Sequence, residues 1–188
     1  IVAGSTHHPE DTYLLASYSS LKKKYPNIRM ILCPRHPERA PSIAAYAASR
    51  GIPLQRLSTA IKQEEAFSDV LLVDRIGVLV ALYSFADIVF VGGSLVPVGG
   101  HNILEPAYFH KPIVFGRHMA NFKDIRDIFI AGNAAREVVD PQGLTDALDA
   151  LINDPDQRRA LSTNAQAVMR NAAESFPRNM ELIRQCIG

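Results

Sequence analysis

Gly92-Gly93-Ser94-Leu95-Val96-Pro97-Val98-Gly99-Gly100-His101-Asn102-Ile103-Leu104-Glu105-Pro106 joins an apolar β-type run, Ile88 to Val91, to a helical segment, Ile103 to Phe109. Four glycines and a carboxylate are thereby packed into one strand-to-helix turn. Glycine removes the Cβ that keeps a backbone away from a ligand, and free N–H groups at a helix start attract negative charge. Strand-to-helix connections usually need only a few residues, so a turn of this length points to function. The stretch reads as a cradle for an anion and a sugar.

The same strand-turn-helix wiring recurs on both sides of it. Upstream, Ile1 to Ala3, Ile28 to Cys33, Pro53 to Leu57 and Val70 to Val73 read as strands. Helices are expected over Pro9 to Lys24, Pro37 to Ser49 and Gly77 to Phe85, with Arg50-Gly51 as a helix-ending glycine signal and Glu64 to Asp69 as a polar loop. Downstream, Pro112 to Phe115 and Ala135 to Val139 read as strands, and Asn121 to Ile130 as a helix. Asp140-Pro141 starts a helix through Leu151, Asp154-Pro155 starts another to about Asn171, and a last helix spans about Phe176 to Cys186. Short Val/Ile/Leu-rich runs alternating with helices imply an α/β domain, a doubly wound parallel sheet covered on both faces. One domain is expected over residues 1–188.

Composition excludes several classes of function. Lys+Arg 20 against Asp+Glu 19 leaves a net charge of +1, which gives no field to attract nucleic acid. Cys33 and Cys186 show neither metal-ligand nor disulfide-framework spacing, so both read as buried or inert thiols of a reducing compartment. No apolar run approaches the ~20 residues that span a bilayer. The first residues, Ile1-Val2-Ala3-Gly4-Ser5-Thr6, begin inside a strand without methionine, and the chain is expected to be a piece of a longer polypeptide.

In doubly wound sheets, ligands bind outside the carboxyl ends of the strands. The turns there are Gly4-Ser5-Thr6-His7, Pro34-Arg35-His36, Asp74-Arg75-Ile76-Gly77, Gly92 to Glu105 and Gly116-Arg117-His118. Glu105 has two readings: a first-turn carboxylate that complements the helix dipole, or a bidentate acceptor for the two hydroxyls of a ribose. Asn102 is either an N-cap or a ligand contact. Arg35 is a solvated surface cation or a clamp for phosphate or carboxylate, and His36 is a helix-start residue or part of that clamp. His101 is a local hydrogen-bonding residue or a contact for phosphate or a sugar acid, and Arg117-His118 are surface residues or an acid clamp. Ser94 lacks the G-x-S-x-G setting of a nucleophile, while its hydroxyl and amide suit phosphate. His7, His8, His36 and His118 sit in separate turns with no metal-ligand spacing. Neither G-x-G-x-x-G with its downstream acid nor G-x-x-x-x-G-K-[ST] occurs in the expected setting.

Together these turns resemble the carboxyl-terminal half of the 3-deoxy-D-manno-octulosonic acid (Kdo) transferases of lipopolysaccharide synthesis. The residues that carry the likeness are Val2-Ala3-Gly4-Ser5-Thr6-His7, Pro34-Arg35-His36-Pro37-Glu38-Arg39, Gly92-Gly93-Ser94-Leu95, Gly99-Gly100-His101-Asn102, Leu104-Glu105-Pro106, and Phe115-Gly116 with His118 and Asn121-Phe122. The resemblance implies a Rossmann-like domain, the C-terminal half of a GT-B glycosyltransferase, which is inverting, uses no metal and no cofactor, and moves Kdo from CMP-Kdo to a lipid A precursor. It implies CMP contacts from Pro34, Arg35, Ile76, Gly77, Val78, Asn102, Ile103, Leu104 and Glu105, with Glu105 on the ribose. Gly93, Ser94 and His101 are implied near the phosphate and the Kdo carboxylate.

One departure stands out: Gly77-Val78-Leu79 replaces the family's usual Gly-Glu-Leu, so a contact through that glutamate side chain is lost and only backbone contacts survive. In the family the general base, the membrane anchor and most of the acceptor surface belong to the amino-terminal half. The resemblance therefore implies no catalytic residue here, a full-length protein at the cytoplasmic face of the bacterial inner membrane, and no transfer by this soluble piece alone. A different GT-B domain, from a UDP-sugar transferase or epimerase, and a non-catalytic nucleotide-binding module remain the alternatives.

Overall fold

A computed structural model describes residues 1–63 and 68–187. Seven strands form one sheet: β1 (Val2–Thr6), β2 (Met30–Pro34), β3 (Leu54–Arg56), β4 (Val70–Leu72), β5 (Val89–Val91), β6 (Ile113–Gly116) and β7 (Arg136–Val138). Their order is β3-β4-β2-β1-β5-β6-β7, and every pairing is parallel. The chain moves outward from β1 on one side, then returns to lay β5 on its other side. That reversal opens a crevice at the carboxyl ends of β1 and β5, where ligands bind in such sheets.

The helices are α1 (Glu10–Lys24), α2 (Ala40–Ser49), α3 (Leu57–Gln63), α4 (Leu79–Leu82), α5 (Leu104–Tyr108), α6 (Lys123–Ala131), α7 (Pro141–Asn153) and α8 (Pro155–Ile187). Side chains alternate between the two sheet faces. Ala3 and Phe90 join Leu14, Leu15, Ile43, Leu144 and Leu148 in one core. Val2, Val89 and Val91 join Tyr83, Ile103, Phe115 and Phe129 in the other. The strands are thus apolar on both faces, as a helix-covered parallel sheet requires.

Local signals placed several boundaries well. Gly51 adopts φ +65° after α2, and the Asp140 carboxylate accepts the Gly143 amide at 2.7 Å to start α7. Elsewhere tertiary contacts override the local pattern. The strand expected over Ile28 to Cys33 runs instead over Met30–Pro34, with Pro34 paired to Thr6 at its end. The stretch expected to be helical from Gly77 narrows to α4 and a 3₁₀ turn at Tyr83–Phe85, since Gly77 sits at φ +88°.

Helix α3 has no expected counterpart. Its start is held from outside, with the Ser58 amide and hydroxyl donating to the Asp74 carboxylate at 2.9 and 2.5 Å. Residues 64–67 of the expected polar loop lie outside the described residues. The two terminal helices are one continuous helix, α8; Ala172-Ala173-Glu174 between them carries no glycine or proline to stop it.

Candidate functional site

The β1 and β5 turns meet at the crevice. The Gly92 amide donates to Gly4 O at 2.8 Å, and a Cβ on Gly92 would lie 2.5 Å from the Ser5 carbonyl oxygen and the Thr6 Cα. Only glycine admits that approach. Beyond it the glycine-rich turn folds back on itself: the Gly100 amide donates to Gly93 O at 2.8 Å and the Asn121 amide to Gly99 O at 2.9 Å. Gly93, Gly99 and Gly100 all take positive φ, the region glycine enters without steric cost.

The first turn of the loop already holds an anion, and it belongs to the protein. Glu10, fully buried at the start of α1, accepts the amides of His7 and Gly93 on Oε2 at 2.9 and 2.7 Å. Its Oε1 accepts those of Ser94 and Leu95 at 3.0 and 2.8 Å. Burial pushes its carboxyl above the ordinary value while these four donors pull it down.

Ser94 is likewise turned inward. Its hydroxyl donates to Val91 O at 2.5 Å and accepts the Gly116 amide at 2.7 Å, with the residue wholly inaccessible. The expected phosphate contact through the Ser94 hydroxyl and amide therefore does not fit this geometry, because both groups are engaged within the protein. Beside Glu10, the buried Asp11 accepts the Thr6 hydroxyl at 2.5 Å and pairs with Arg39.

Above Gly93 lies a cluster of imidazoles. His7 Nε2 and His101 Nε2 are 2.9 Å apart, their ring planes within 8° and centroids 5.2 Å apart. The His36 ring meets His7 edge-on with centroids 5.5 Å apart. Burial, then His7, Arg35 and His36, push His101 down to about 4. Burial, then His36 and Arg39, lower His7 as well. Arg35 itself is exposed, and its amide donates to Thr6 O at 2.9 Å. The fold thus brings Arg35, His101 and Gly93 to one corner. Although three histidines converge, among the described residues no group of three His, Cys, Asp or Glu side chains is placed to hold a metal ion.

On the other flank the N-cap position of α5 is Ile103, and the Asn102 side chain, one residue earlier, ties the helix start to Glu105. Its Oδ1 accepts the Leu104 amide at 3.0 Å, and its Nδ2 donates to Glu105 Oε1 at 3.3 Å. Glu105 is half-buried, and its charge adds to the burial that raises the buried Tyr83 phenol. Tyr83 packs under Gly4, and Leu79 of α4 reaches the same glycine. Helix α4 therefore carries the preceding Ile76-Gly77-Val78 turn on this side of the crevice. Ile76 is 85% exposed and Val78 packs against the Cys33 cluster. Ile103 is fully buried. Burial pushes the Cys33 thiol up to about 11, which makes it inert. His118 donates its amide to Ser94 O at 2.8 Å, and its ring meets Arg117 Nε at 3.4 Å.

Residue-by-residue reading missed Glu10, Asp11 and Tyr83, and placed His7 in a ligand-facing turn without assigning it a contact. The signal available for Glu10 was an acid in the first turn of a helix that follows a strand-ending turn. Nothing local showed that three of its four partners lie 83 to 85 residues away.

This doubly wound parallel sheet, with its polar clusters at the β1/β5 reversal, is the Rossmann-like architecture found in GT-B glycosyltransferase domains. The C-terminal domain of a glycosyl transferase group 1 family protein (LpcC) from Francisella tularensis shares it, with a TM-score of 0.63 over 90% of this chain and 84% of that one, at 15% identity, a likeness of fold alone. The chain belongs to the 3-deoxy-D-manno-octulosonic acid transferase family. It is 31% identical to the C-terminal CMP-Kdo binding domain of WaaA from Acinetobacter baumannii, covering 89% of this chain and 87% of that one with a TM-score of 0.82. It is also 36% identical over 184 residues to the 3-deoxy-D-manno-octulosonic acid transferase of Haemophilus influenzae, matching 97% of this chain and 43% of that protein. The chain thus spans less than half the length of that relative. No family model matches it. Among the described residues no helix is long and apolar enough to cross a membrane.

Proposed function

We propose that this chain is the donor-binding domain of an inverting glycosyltransferase that moves Kdo from CMP-Kdo to a lipid A precursor. The observation that carries the reading is the match across 89% of the chain to a domain described as binding CMP-Kdo, combined with the two polar flanks of the crevice. On one flank, Glu105, held by Asn102, takes the ribose hydroxyls. Leu104, Pro34 and the exposed Ile76-Gly77-Val78 turn wall the cytosine, and buried Ile103 keeps Asn102 and Leu104 in register.

On the other flank Arg35 and His101 meet the phosphate and the Kdo carboxylate over Gly93. Ser94 serves from beneath, anchoring the turn to β6 through Gly116. Arg35 supplies positive charge to the departing phosphate, a task that in this reading needs no metal. The base that takes the acceptor proton belongs to a second domain outside residues 1–188, and the complete protein works at the cytoplasmic face of the inner membrane. The chain alone then binds donor without transferring it.

The deciding experiment titrates the chain with CMP, UDP and AMP while following backbone amide resonances. Saturable shifts at Arg35, Gly77 and Glu105 with preference for CMP are expected. Preference for UDP, or no binding of CMP at millimolar concentration, overturns the reading.

A further inference from the structure

The His7–His101 contact is an unusual object to find in a donor crevice. Two ring nitrogens 2.9 Å apart must share one hydrogen: one imidazole donates its Nε2–H, and the other accepts on a bare Nε2. The planes are 8° apart, and with centroids 5.2 Å apart and nitrogens 2.9 Å apart the bond runs nearly in line with both rings. A Cβ on Gly93 would stand 3.0 Å from His101 Cδ2, 3.1 Å from its Nε2 and 3.3 Å from His7 Cδ2. The bonded edges of both rings therefore lie over the glycine turn.

Such a pair can accept one further proton without breaking. The proton adds to Nδ1 of the donating ring, which becomes an imidazolium and still donates its Nε2–H, now charge-assisted, to its neighbour. A second proton would set two N–H groups against each other. The pair is thus a one-proton device, and its neighbours decide when it fills. Around His7 stand His36 and Arg35 from the β2–α2 connection, Arg39 between that connection and α2, and Asp11 and Glu10 from α1. Around His101 stand His7, Arg35 and His36. Arg39 and Asp11 pair with each other, Glu38 lies against His36 and Glu10 takes four amides, which leaves the Arg35 charge acting on the pair.

We infer that the His7–His101 pair is a proton-accepting part of the donor site, uncharged when the crevice is empty and filled by one proton from solvent when a nucleotide phosphate docks beside Arg35. This rests on the donor-site reading above and makes His7 a second histidine of that site. The physical cause is local: burial first and neighbouring positive charge second keep both imidazoles neutral, and an incoming anion offsets the second and favours the charged form. The leaving nucleotide carries one more negative charge than the bound diester, and an imidazolium already beside the phosphate stabilises it.

The test uses cytidine 5′-methyl phosphate, a diester like a nucleotide-sugar, whose phosphate does not titrate near neutrality, and cytidine as the uncharged control. Binding to the chain is measured calorimetrically at pH 6 in buffers of different ionisation heat. The diester is expected to bring uptake of about half a proton or more, and its affinity to rise roughly two- to fivefold from pH 8 to pH 6. Cytidine is expected to show neither effect. Both should vanish in His7→Gln and in His101→Gln, and the imidazole carbon resonances of the unaltered chain should report the proton directly.

Diester binding with no proton uptake overturns the inference while leaving the donor site standing. Uptake undiminished in both variants overturns it too, since another group then takes the proton. Failure of CMP and the diester to bind at all removes the donor site, and this inference with it.

Discussion

Glu10 accepts the Gly93 amide at 2.7 Å across 83 residues of sequence, so the glycine-rich turn is held by a buried carboxylate of the protein. The loop is preorganised before any ligand arrives, and the amides nearest β5 are spent on its shape. A ligand anion must then meet the Arg35 and histidine side of the corner.

Glu10→Ala should therefore destabilise the chain by about 3 kcal/mol, the scale for leaving several buried donors without their charged acceptor. Glu10→Gln should cost less, because its amide carbonyl still accepts part of the set. Urea unfolding of the three chains checks this; an alanine variant within about 0.5 kcal/mol of the parent, the range of an ordinary surface change, would contradict it.

Gly92→Ala should cost about 2 kcal/mol or more, since the added Cβ meets backbone atoms that no side-chain rotation can move. The contacts at 2.5 Å are with the Ser5 carbonyl oxygen and Thr6 Cα. Thermal denaturation would show it as a lowered midpoint, and an unchanged midpoint would refute the close approach.

Glu105→Ala should weaken CMP binding by ~1–3 kcal/mol, the scale of a charged hydrogen-bond partner. If the carboxylate holds the ribose, 2′-deoxy-CMP should already have lost part of that contact and suffer less from the same substitution. Equal losses for both nucleotides in a folded variant would sink the ribose assignment.

Arg35→Ala should weaken CMP selectively, leaving cytidine nearly untouched, because the guanidinium is assigned to phosphate alone. Parallel affinity measurements on the two ligands decide the matter. An equal loss for the bare nucleoside would mean that Arg35 shapes the crevice instead.

Stability should fall on acidification through His101. Its folded value of about 4 lies below the ordinary 6.5, so between those two pH values the unfolded chain binds more protons than the folded one. The contribution is complete above about pH 6.5 and is lost progressively as pH falls toward 4. Unfolding free energies at pH 7.5 and 4.5 should differ less in His101→Gln than in the parent, and identical pH slopes would refute the assignment.

Much of this was legible along the chain. Strands and helices alternate because their apolar residues recur at short β-runs and at helical spacing, and Gly51, Asp140-Pro141 and Asp154-Pro155 punctuate them through local backbone chemistry. Helix α3 was not legible, because its start is completed by Asp74, sixteen residues on. Nor was the narrowing of the Gly77-to-Phe85 helix, where one positive φ at Gly77 delays the start to Leu79.

The sequence by itself determined the parallel α/β class, the turns that face the crevice and the family to which those turns belong, since each depends on neighbours within a few residues. Only the tertiary structure decided what the turns do with their polar groups. It turned Ser94 inward, spent the Gly93 amide on Glu10, and set His7 against His101 from 94 residues away. Hydrogen bonds and electrostatic fields act through a few ångströms of space, and the order of strands in the sheet, not the order of residues in the chain, decides which groups come within that reach.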